Sequence, residues 1–248
     1  MYLTLRNYWR IRGGSIRRFE TQDDLDTWGG PPIQRWASTY AWIRLTGDNR
    51  KPVSRDFRFN WERDEAGSTW RSAYLGMDLR PSTRVELSLQ PQYTWNDDDA
   101  QGVANVNDNG DGIQDHFVYG ELKSRVFDVI GCCNWVFTPD LTLQLYLQPF
   151  VAVGDYGHFK ELVRPKGYEF AAYEGLSANP DFRWRSLRSN LLLRWEYEPG
   201  STLFLVWSQS RQDRAQEPEL RAWSNLRKSS ADEGANIFLV KLNYWLNI

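Results

Sequence analysis

The feature that most constrains the fold of this chain is a hydrophobic period of two that recurs along the sequence. In residues 83–95 the apolar and aromatic side chains alternate with polar and charged ones. Residues 141–153 and 237–248 follow the same pattern. Successive side chains of a β-strand point to opposite faces of the sheet, so each segment predicts a strand with one apolar and one polar face.

The connections between the predicted strands alternate between tight turns and long polar segments. Residues 189–210 contain two apolar-rich runs separated by Glu198-Pro199-Gly200-Ser201, a turn signal. Further short turns are predicted at residues 46–52, 80–83 and 138–141. The other connections are residues 13–32, 64–68, 96–114, 155–181 and 211–235. Tight turns on one rim and long loops on the other are typical of a transmembrane β-barrel.

About ten strands are predicted in total, and no amphipathic helix of useful length. The weaker strand patterns cover residues 2–12, 34–45, 53–63, 69–79 and 115–138. The last of these must be one long strand that projects beyond the membrane. An even number of antiparallel strands would bring the N- and C-terminal ends of the chain to the same rim, the one that carries the tight turns.

Three features favour a membrane barrel over a soluble β-sandwich. The apolar face of each good strand is free of charge over roughly the 9–11 residues that a tilted membrane strand needs. The opposite face is predicted to carry Arg58, Glu62, Arg71, Glu86, Arg188, Arg194, Glu196 and Lys241. Aromatic residues lie near the ends of the apolar faces, as in an interfacial girdle: Trp9, Trp61, Tyr93, Trp95, Trp135, Trp195, Tyr197 and Tyr244.

The sequence therefore predicts an all-β, antiparallel transmembrane β-barrel of about ten strands, complete by itself or as the C-terminal section of a larger barrel. The alternative is a soluble β-sandwich that binds carbohydrate through exposed aromatics, and it requires a packed two-layer core. Mean hydropathy is −0.62, and no stretch reaches the roughly 18 uncharged apolar residues of a membrane helix. A net charge of −2 gives no reason to expect a nucleic-acid partner.

The N-terminal residues 1–12 read as a strand and contain no secretory signal. We therefore expect the chain to be the C-terminal part of a longer protein.

One loop resembles a calcium-binding loop. Asn107, Asn109, Asp111 and Asp115 offer oxygen ligands, and Gly112 suits the sharp turn between them. The first position is Asn, and the twelfth is Val118 where a bidentate Glu is usual. The alternative is a polar surface loop in which Asn, Asp and Gly serve only the turn.

No catalytic constellation can be identified, so the chain is not predicted to be an enzyme. His116 and His158 are the only histidines. An outer-membrane hydrolase remains the alternative, and it requires a Ser or a carboxylate within hydrogen-bond reach of one of them. Aromatic residues in the predicted loops either stack on sugar rings or lipopolysaccharide or pack their own loops: Trp28, Tyr156, Phe159, Tyr168, Tyr173 and Trp223.

Three segments, residues 137–162, 182–211 and 236–248, resemble one conserved domain of unknown function, and residues 79–95 fit it less tightly. That domain is the presumed outer-membrane barrel that follows a family 9-like carbohydrate-binding domain in Gram-negative bacterial proteins. We expect residues 1–248 to form a single barrel domain. The resemblance is loose before Thr69, and it implies a location in the outer membrane. It implies an N-terminal carbohydrate-binding domain in full-length relatives and contacts with outer-membrane lipid, lipopolysaccharide and polysaccharide. Anchoring, display or passage linked to polysaccharide binding or uptake is the expected role, and the resemblance brings no catalytic residue. The only cofactor considered is Ca²⁺, from the loop at residues 105–115.

Overall fold

The structure, a computed structural model, describes residues 1–27, 29–108 and 114–246, apart from the side chains of residues 222 and 223. Within these residues the chain is almost entirely β-structure. The first seven strands are β1 (Tyr2–Thr4), β2 (Arg10–Arg18), β3 (Thr21–Asp23), β4 (Ile33–Arg35), β5 (Ser38–Thr46), β6 (Val53–Asp64) and β7 (Thr69–Ser82). They are followed by β8 (Val85–Val106), β9 (His116–Thr138), β10 (Leu141–Leu162), β11 (Phe170–Ala172), β12 (Phe182–Glu198), β13 (Ser201–Ala215), α1 (Ala222–Ser229) and β14 (Gly234–Asn243).

One large antiparallel sheet contains all the strands except β3 and β4, which form a separate pair. Its order is β1-β2-β5-β6-β7-β8-β9-β10-β12-β13-β14, and β11 adds to the side of β10. Neighbours in the sheet are therefore neighbours in sequence, apart from short strands within the long loops. This meander of antiparallel hairpins is the connectivity that the alternating turns and loops predict.

Within the described residues the sheet does not close, and β1 and β14 are its edges. Because every pairing along the path of eleven strands is antiparallel, these two edge strands run in the same direction. A direct β1–β14 pair would be parallel. Closure with antiparallel pairs throughout requires an odd number of further strands between the edges, which gives the even total of bacterial barrels.

The N-terminal segment differs from its prediction as a single strand over residues 2–12. The chain reverses between Leu5 and Trp9, where the Tyr8 amide donates to the Leu5 carbonyl (3.0 Å) and the Leu5 amide donates to the Trp9 carbonyl (2.8 Å). Tyr8 occupies the left-handed region at φ 64°. The apolar pattern thus belongs to two short paired strands, β1 and β2, and the sheet has eleven strands on its path where ten were predicted.

Several strands extend further than the sequence predicts. β8, β9 and β10 have 22, 23 and 22 residues, about twice the length needed to cross the hydrocarbon layer. The long strand predicted at 115–138 is confirmed as β9, whereas parts of the predicted loops 96–114 and 155–181 continue β8 and β10. The sequence of their outer halves shows no clear alternation of apolar and polar residues, because neither face contacts lipid there.

The apolar face keeps its large side chains exposed, with no second sheet packed over it in the described residues. On β9, Arg125 and Trp135 lie ten positions apart on this face, which matches the crossing length of a tilted strand. Near the outer end of the face, Trp61, Arg71, Trp95 and Arg125 are cross-strand partners in one row. The prediction that Arg71 lies on the polar face is therefore wrong, because its register places it beside the two tryptophans at the edge of the apolar belt.

The small hydrophobic core lies beyond the crossing residues, at the outer ends of the long strands. Ile33, Ala100 and Tyr119 are fully buried there and pack against partly buried aromatics. α1 was not predicted, since eight residues are too few for a helical period to stand out. Among the residues that the structure describes, no helix is long and apolar enough to cross a membrane.

Adjacent residues on β10 provide a matched test of the two faces. Leu145 and Tyr146 are each 37% exposed and lie on the apolar and polar faces, respectively. We expect Leu145→Arg to lower the free energy of unfolding in lipid by about 2–4 kcal/mol, because it places a charge in hydrocarbon. Tyr146→Arg should have little effect. Denaturant unfolding in lipid vesicles measures both, and equal costs for the two variants would contradict the assignment of the faces.

Candidate functional site

The polar face of β5–β7 is held together by a network of ion pairs. Arg44 Nε donates to Asp56 Oδ1 at 3.0 Å, and Arg58 Nη2 lies 3.2 Å from Asp56 Oδ2. The Arg58 guanidinium also lies over the Tyr74 ring, 4.6 Å from its centroid. One carboxylate thus joins two guanidinium groups from neighbouring strands.

Neutral hydrogen bonds continue the network toward the outer rim. Tyr40 Oη donates to Asn60 Oδ1 at 2.8 Å, and Asn60 Nδ2 donates to Ser72 Oγ at 2.9 Å. These three residues are on β5, β6 and β7, so the bonds run across the strands. A polar face whose groups bond to each other in this way is rigid and has few groups left to bind a ligand.

The polar face of β10–β13 is different, because it carries hydroxyl and amide groups and few carboxylates. Tyr146 Oη donates to Gln148 Oε1 at 2.8 Å, and Ser208 Oγ donates to Asn190 Oδ1 at 3.1 Å. Arg188, on the same face of β12, is exposed and forms no ion pair or side-chain hydrogen bond within the described part of the chain. This part of the face therefore offers groups that are free to bind polar solutes.

A cleft of about 570 Å³ opens at the outer end of this region. It is lined by Phe182, Trp184, Gln212, Asp213 and Arg214. The volume lies in the range of small-molecule sites, and the lining combines two aromatic rings with a few polar groups, as such sites do.

Trp184 is the largest group in the cleft and is 45% exposed. The Phe150 ring holds it edge-on, with centroids 5.8 Å apart. Its cross-strand partner is Arg214, whose side chain has no partner among the described residues. An indole face beside a free guanidinium can stack on a ring and bind an acceptor on that ring at the same time.

Gly154 makes room for the other aromatic wall of the cleft. A side chain at this position would collide with the ring of Phe182, its cross-strand partner. Gly157, three residues further along β10, has open space around it. The absence of a side chain at Gly154 therefore allows Phe182 to lie against the sheet.

A strap, residues 216–233, returns from β13 to β14 and is fixed on the opposite face. Arg185 donates two hydrogen bonds of 2.6 Å to the carboxylate of Asp232. The two side chains are only 12% and 8% exposed. Arg185 is the cross-strand partner of Val151, so this buried pair marks the end of the apolar belt on β12. Within the strap, α1 packs against β10 and β12.

Beyond the membrane-crossing segments, hydrogen bonds and ion pairs between ionisable groups join the long outer strands. Lys160 Nζ and Tyr168 Oη both donate to Asp99 Oδ2, at 2.9 and 3.0 Å. Burial and the adjacent Asp99 charge raise the pKa of Tyr168, so its hydroxyl remains a donor. Arg35 lies 2.8 Å from Asp26, and burial nevertheless raises the pKa of Asp26, since desolvation outweighs the attraction of Arg35.

His116 bridges two carboxylates at the outer tip. Its Nδ1 bonds to Glu161, and its Nε2 lies 3.1 Å from Asp108 Oδ2. The hydrogen bond to Glu161 is the main cause of a raised His116 pKa, and Asp108 adds to it. The protonated imidazole, which has two N–H donors, fits this arrangement.

The hydrolase alternative required a Ser or a carboxylate near a histidine. Both histidines have a carboxylate partner, since His158 Nδ1 lies 2.9 Å from Glu121 Oε2. Among the described contacts neither imidazole bonds to a hydroxyl group, so no serine nucleophile is positioned there. The carboxylate form of the requirement is thus met at both histidines, and the hydrolase alternative stays a prediction.

The predicted calcium loop is only partly described. Asn109 and Asp111 lie outside the described residues. Asp115 Oδ2 accepts a hydrogen bond from the Asp108 amide at 2.9 Å, and Asn107 also has a partner. In the described residues no group of three or more His, Cys, Asp and Glu side chains is placed to hold a metal. The four-residue calcium site stays a prediction.

The sequence did not single out Trp184 and Arg214 as site residues. They lie 30 positions apart and meet only through the register of β12 and β13. Of the loop aromatics that were considered, Tyr168 packs on Trp36 with centroids 6.0 Å apart, and Tyr173 packs on His116 at 5.2 Å. Trp28 and the side chain of Trp223 lie outside the described part. One signal could have found Trp184: a bulky aromatic at a polar-face position of its strand.

The fold also has a solved counterpart. "Copper transporter OprC" matches with a TM-score of 0.50 and 11% identity, over 95% of this chain and 37% of that one. The chain thus spans just over a third of the length of the structure it matches. At this identity the similarity shows the fold alone: an antiparallel β-barrel, with the sheet described above open at its two edges.

The sequence match identifies the family. Residues 6–248 match the domain of unknown function DUF5916, and the chain belongs to that family. This match confirms the resemblance to a domain of unknown function. No curated protein matches the chain.

The His116 bridge predicts a pH dependence of the outer tip. Because the folded-state pKa is raised, the bridge adds stability below about pH 6.5, the usual His pKa, and this is lost as pH rises through the raised value. An NMR titration of histidine-labelled protein should show the His116 ring titrating above its usual range. Glu161→Gln should lower that midpoint, and His116→Asn assigns the signal. An unchanged midpoint in Glu161→Gln would exclude the bridge as its cause.

Proposed function

We propose that this chain forms part of the wall of a β-barrel in the outer membrane, which holds saccharide at its outer rim and passes it along the polar face. The observation that carries the proposal is the sheet with two different faces. One face is apolar with aromatic residues at both ends, and the other is polar and leads to the cleft at Trp184. Lipid and lipopolysaccharide would cover the first face, and the second would line the lumen.

The saccharide part of the proposal rests on the chemistry of the cleft. Sugar rings have an apolar C–H face and hydroxyl edges, and the cleft pairs an exposed indole with amide and guanidinium donors. The resemblance to a barrel that follows a carbohydrate-binding domain supports the same ligand class. Such a domain would capture polysaccharide outside the lumen, and the barrel would anchor it. The proposal gives the chain binding and passage, and no bond-breaking step.

The location and the passage can be tested together. We expect the full-length protein, expressed with an export signal in a Gram-negative host, to sediment with the outer membrane. We also expect it to change gel mobility when boiled, because a folded barrel resists detergent. Liposomes that contain it should swell in maltotriose faster than empty ones. Recovery in the soluble fraction would contradict the location, and swelling no faster than that of empty liposomes would contradict passage.

Variants of the cleft test whether Trp184 and Phe182 bind the saccharide. Trp184→Ala removes the indole, and we expect it to weaken maltotriose binding about tenfold in calorimetry of the detergent-solubilised protein, equivalent to about 1.4 kcal/mol. Gly154→Ala should weaken it too, because the new methyl group displaces Phe182.

Gly157→Ala is the matched control, since its methyl group meets open space on the same strand. It should bind like the unmodified protein. Equal binding by Trp184→Ala, Gly154→Ala and Gly157→Ala would place the saccharide elsewhere.

A further inference from the structure

The charged side chains of the polar face differ in sign between its two halves. On β5–β8 the charged residues of this face are predominantly acidic, and ion pairs join several of them to arginines. On β10–β14 the same face carries four cations and one carboxylate. They form a cationic strip: Arg188, Arg194, Arg214, Lys241 and Glu196. The whole chain has a net charge of −2, so this cationic strip does not follow from a basic composition.

Within the strip, Arg188 and Arg214 stand apart from the other cations. Arg194 Nη2 donates to Glu196 at 2.6 Å, and Lys241 lies over the Phe204 ring at 5.8 Å. The side chains of Arg188 and Arg214 are exposed and make no ion pair or hydrogen bond within the described part of the chain. Two exposed guanidiniums without a partner on one face are available to bind a ligand that supplies carboxylates, whose geometry matches the two parallel N–H donors of arginine.

The two free arginines are spaced along the path that leads away from the cleft. Arg214 lines the cleft and is the cross-strand partner of Trp184. Arg188 lies four positions after Trp184 on β12, which corresponds to about 13 Å along the strand. Between and beside them are hydroxyl and amide side chains, such as Gln148, the cross-strand partner of Arg188. A ligand that fills this path must offer ring faces, hydroxyl groups and repeated negative charges.

We propose that the cleft and the cationic strip select saccharides that carry carboxylate groups, over neutral ones. The inference rests on the proposed function and names its substrate class. The indole of Trp184 takes the C–H face of one sugar ring, and Arg214 binds the carboxylate of that ring through two parallel N–H donors. Arg188 receives the carboxylate of a later ring as the chain advances. A neutral sugar offers Arg214 only a hydroxyl acceptor and gives Arg188 no anion to bind.

The test compares two trisaccharides of similar size, trigalacturonate and maltotriose, by calorimetry and by liposome swelling with the full-length protein. We expect trigalacturonate to bind at least tenfold more tightly at low salt. Its advantage should shrink as salt rises, because screening weakens exposed charge pairs. Arg188→Gln should reduce trigalacturonate affinity about tenfold and leave maltotriose affinity within twofold. Arg214→Gln should reduce trigalacturonate affinity by a larger factor than it reduces maltotriose affinity, because Arg214 lines the cleft that both sugars enter.

Arg63→Gln is the matched control. It removes one exposed positive charge from the apolar-face side of β6, so it changes the net charge equally without touching the strip. It should leave both affinities unchanged. Inorganic phosphate serves as a second probe. If phosphate displaces bound trigalacturonate as effectively as free trigalacturonate does, the strip binds anions without recognising the sugar.

The outcomes separate the two proposals. Equal binding and passage of both trisaccharides, unaffected by Arg188→Gln and Arg214→Gln, would overturn the selection of acidic sugars and leave passage of saccharides intact. Strong phosphate competition would overturn it as well. Failure of both sugars to bind or pass would overturn the proposed function itself. Loss of trigalacturonate binding in Arg63→Gln would point to a general charge effect and would also count against the strip.

Discussion

The ladder of backbone hydrogen bonds is the constraint on which the rest of this structure depends. In hydrocarbon an unpaired N–H or C=O group costs several kcal/mol, so a spanning sheet must pair each strand on both sides. Ten antiparallel pairings, from β1–β2 to β13–β14, achieve this across the described section. The pairing also fixes which residues share a face, and a shift by one residue would turn every apolar side chain toward the polar side. Within the described residues, β1 and β14 each have one side of the ladder unpaired.

Because the two faces of the sheet lie in different environments, the polar side chains of the crossing segments are concentrated on one face. On that face they either bond to each other or have no protein partner. The half formed by β5–β7 uses its charges internally, through Arg44, Asp56 and Arg58. The half formed by β10–β13 keeps guanidinium, hydroxyl and amide groups that can be shared with a solute. The first half thus adds rigidity to the sheet, whereas we propose that the second half supplies the binding path. On that proposal one sheet serves both stability and recognition.

The outer extensions of β8, β9 and β10 give the rim its own small core, away from lipid. Ile33, Ala100 and Tyr119 are buried there, and Asp99 joins Lys160 to Tyr168. On the other side of β12, the buried pair of Arg185 and Asp232 fixes the strap. The cleft at Trp184 therefore lies on a rim held from both faces. A binding site needs such support, because side chains on a loose edge would not hold a fixed geometry.

The sequence by itself determined the all-β class, the two faces of the central strands, the tight turns at residues 138–141 and 198–201 and the long strand β9. These features are local, since a period of two and a Pro-Gly turn are complete within a few residues. Tertiary structure alone decided the rest. The N-terminal hairpin, the outer halves of β8 and β10 and the face of Arg71 depend on pairing with distant strands. The meeting of Trp184 with Arg214 and the free state of Arg188 depend on register between strands, which no single segment encodes.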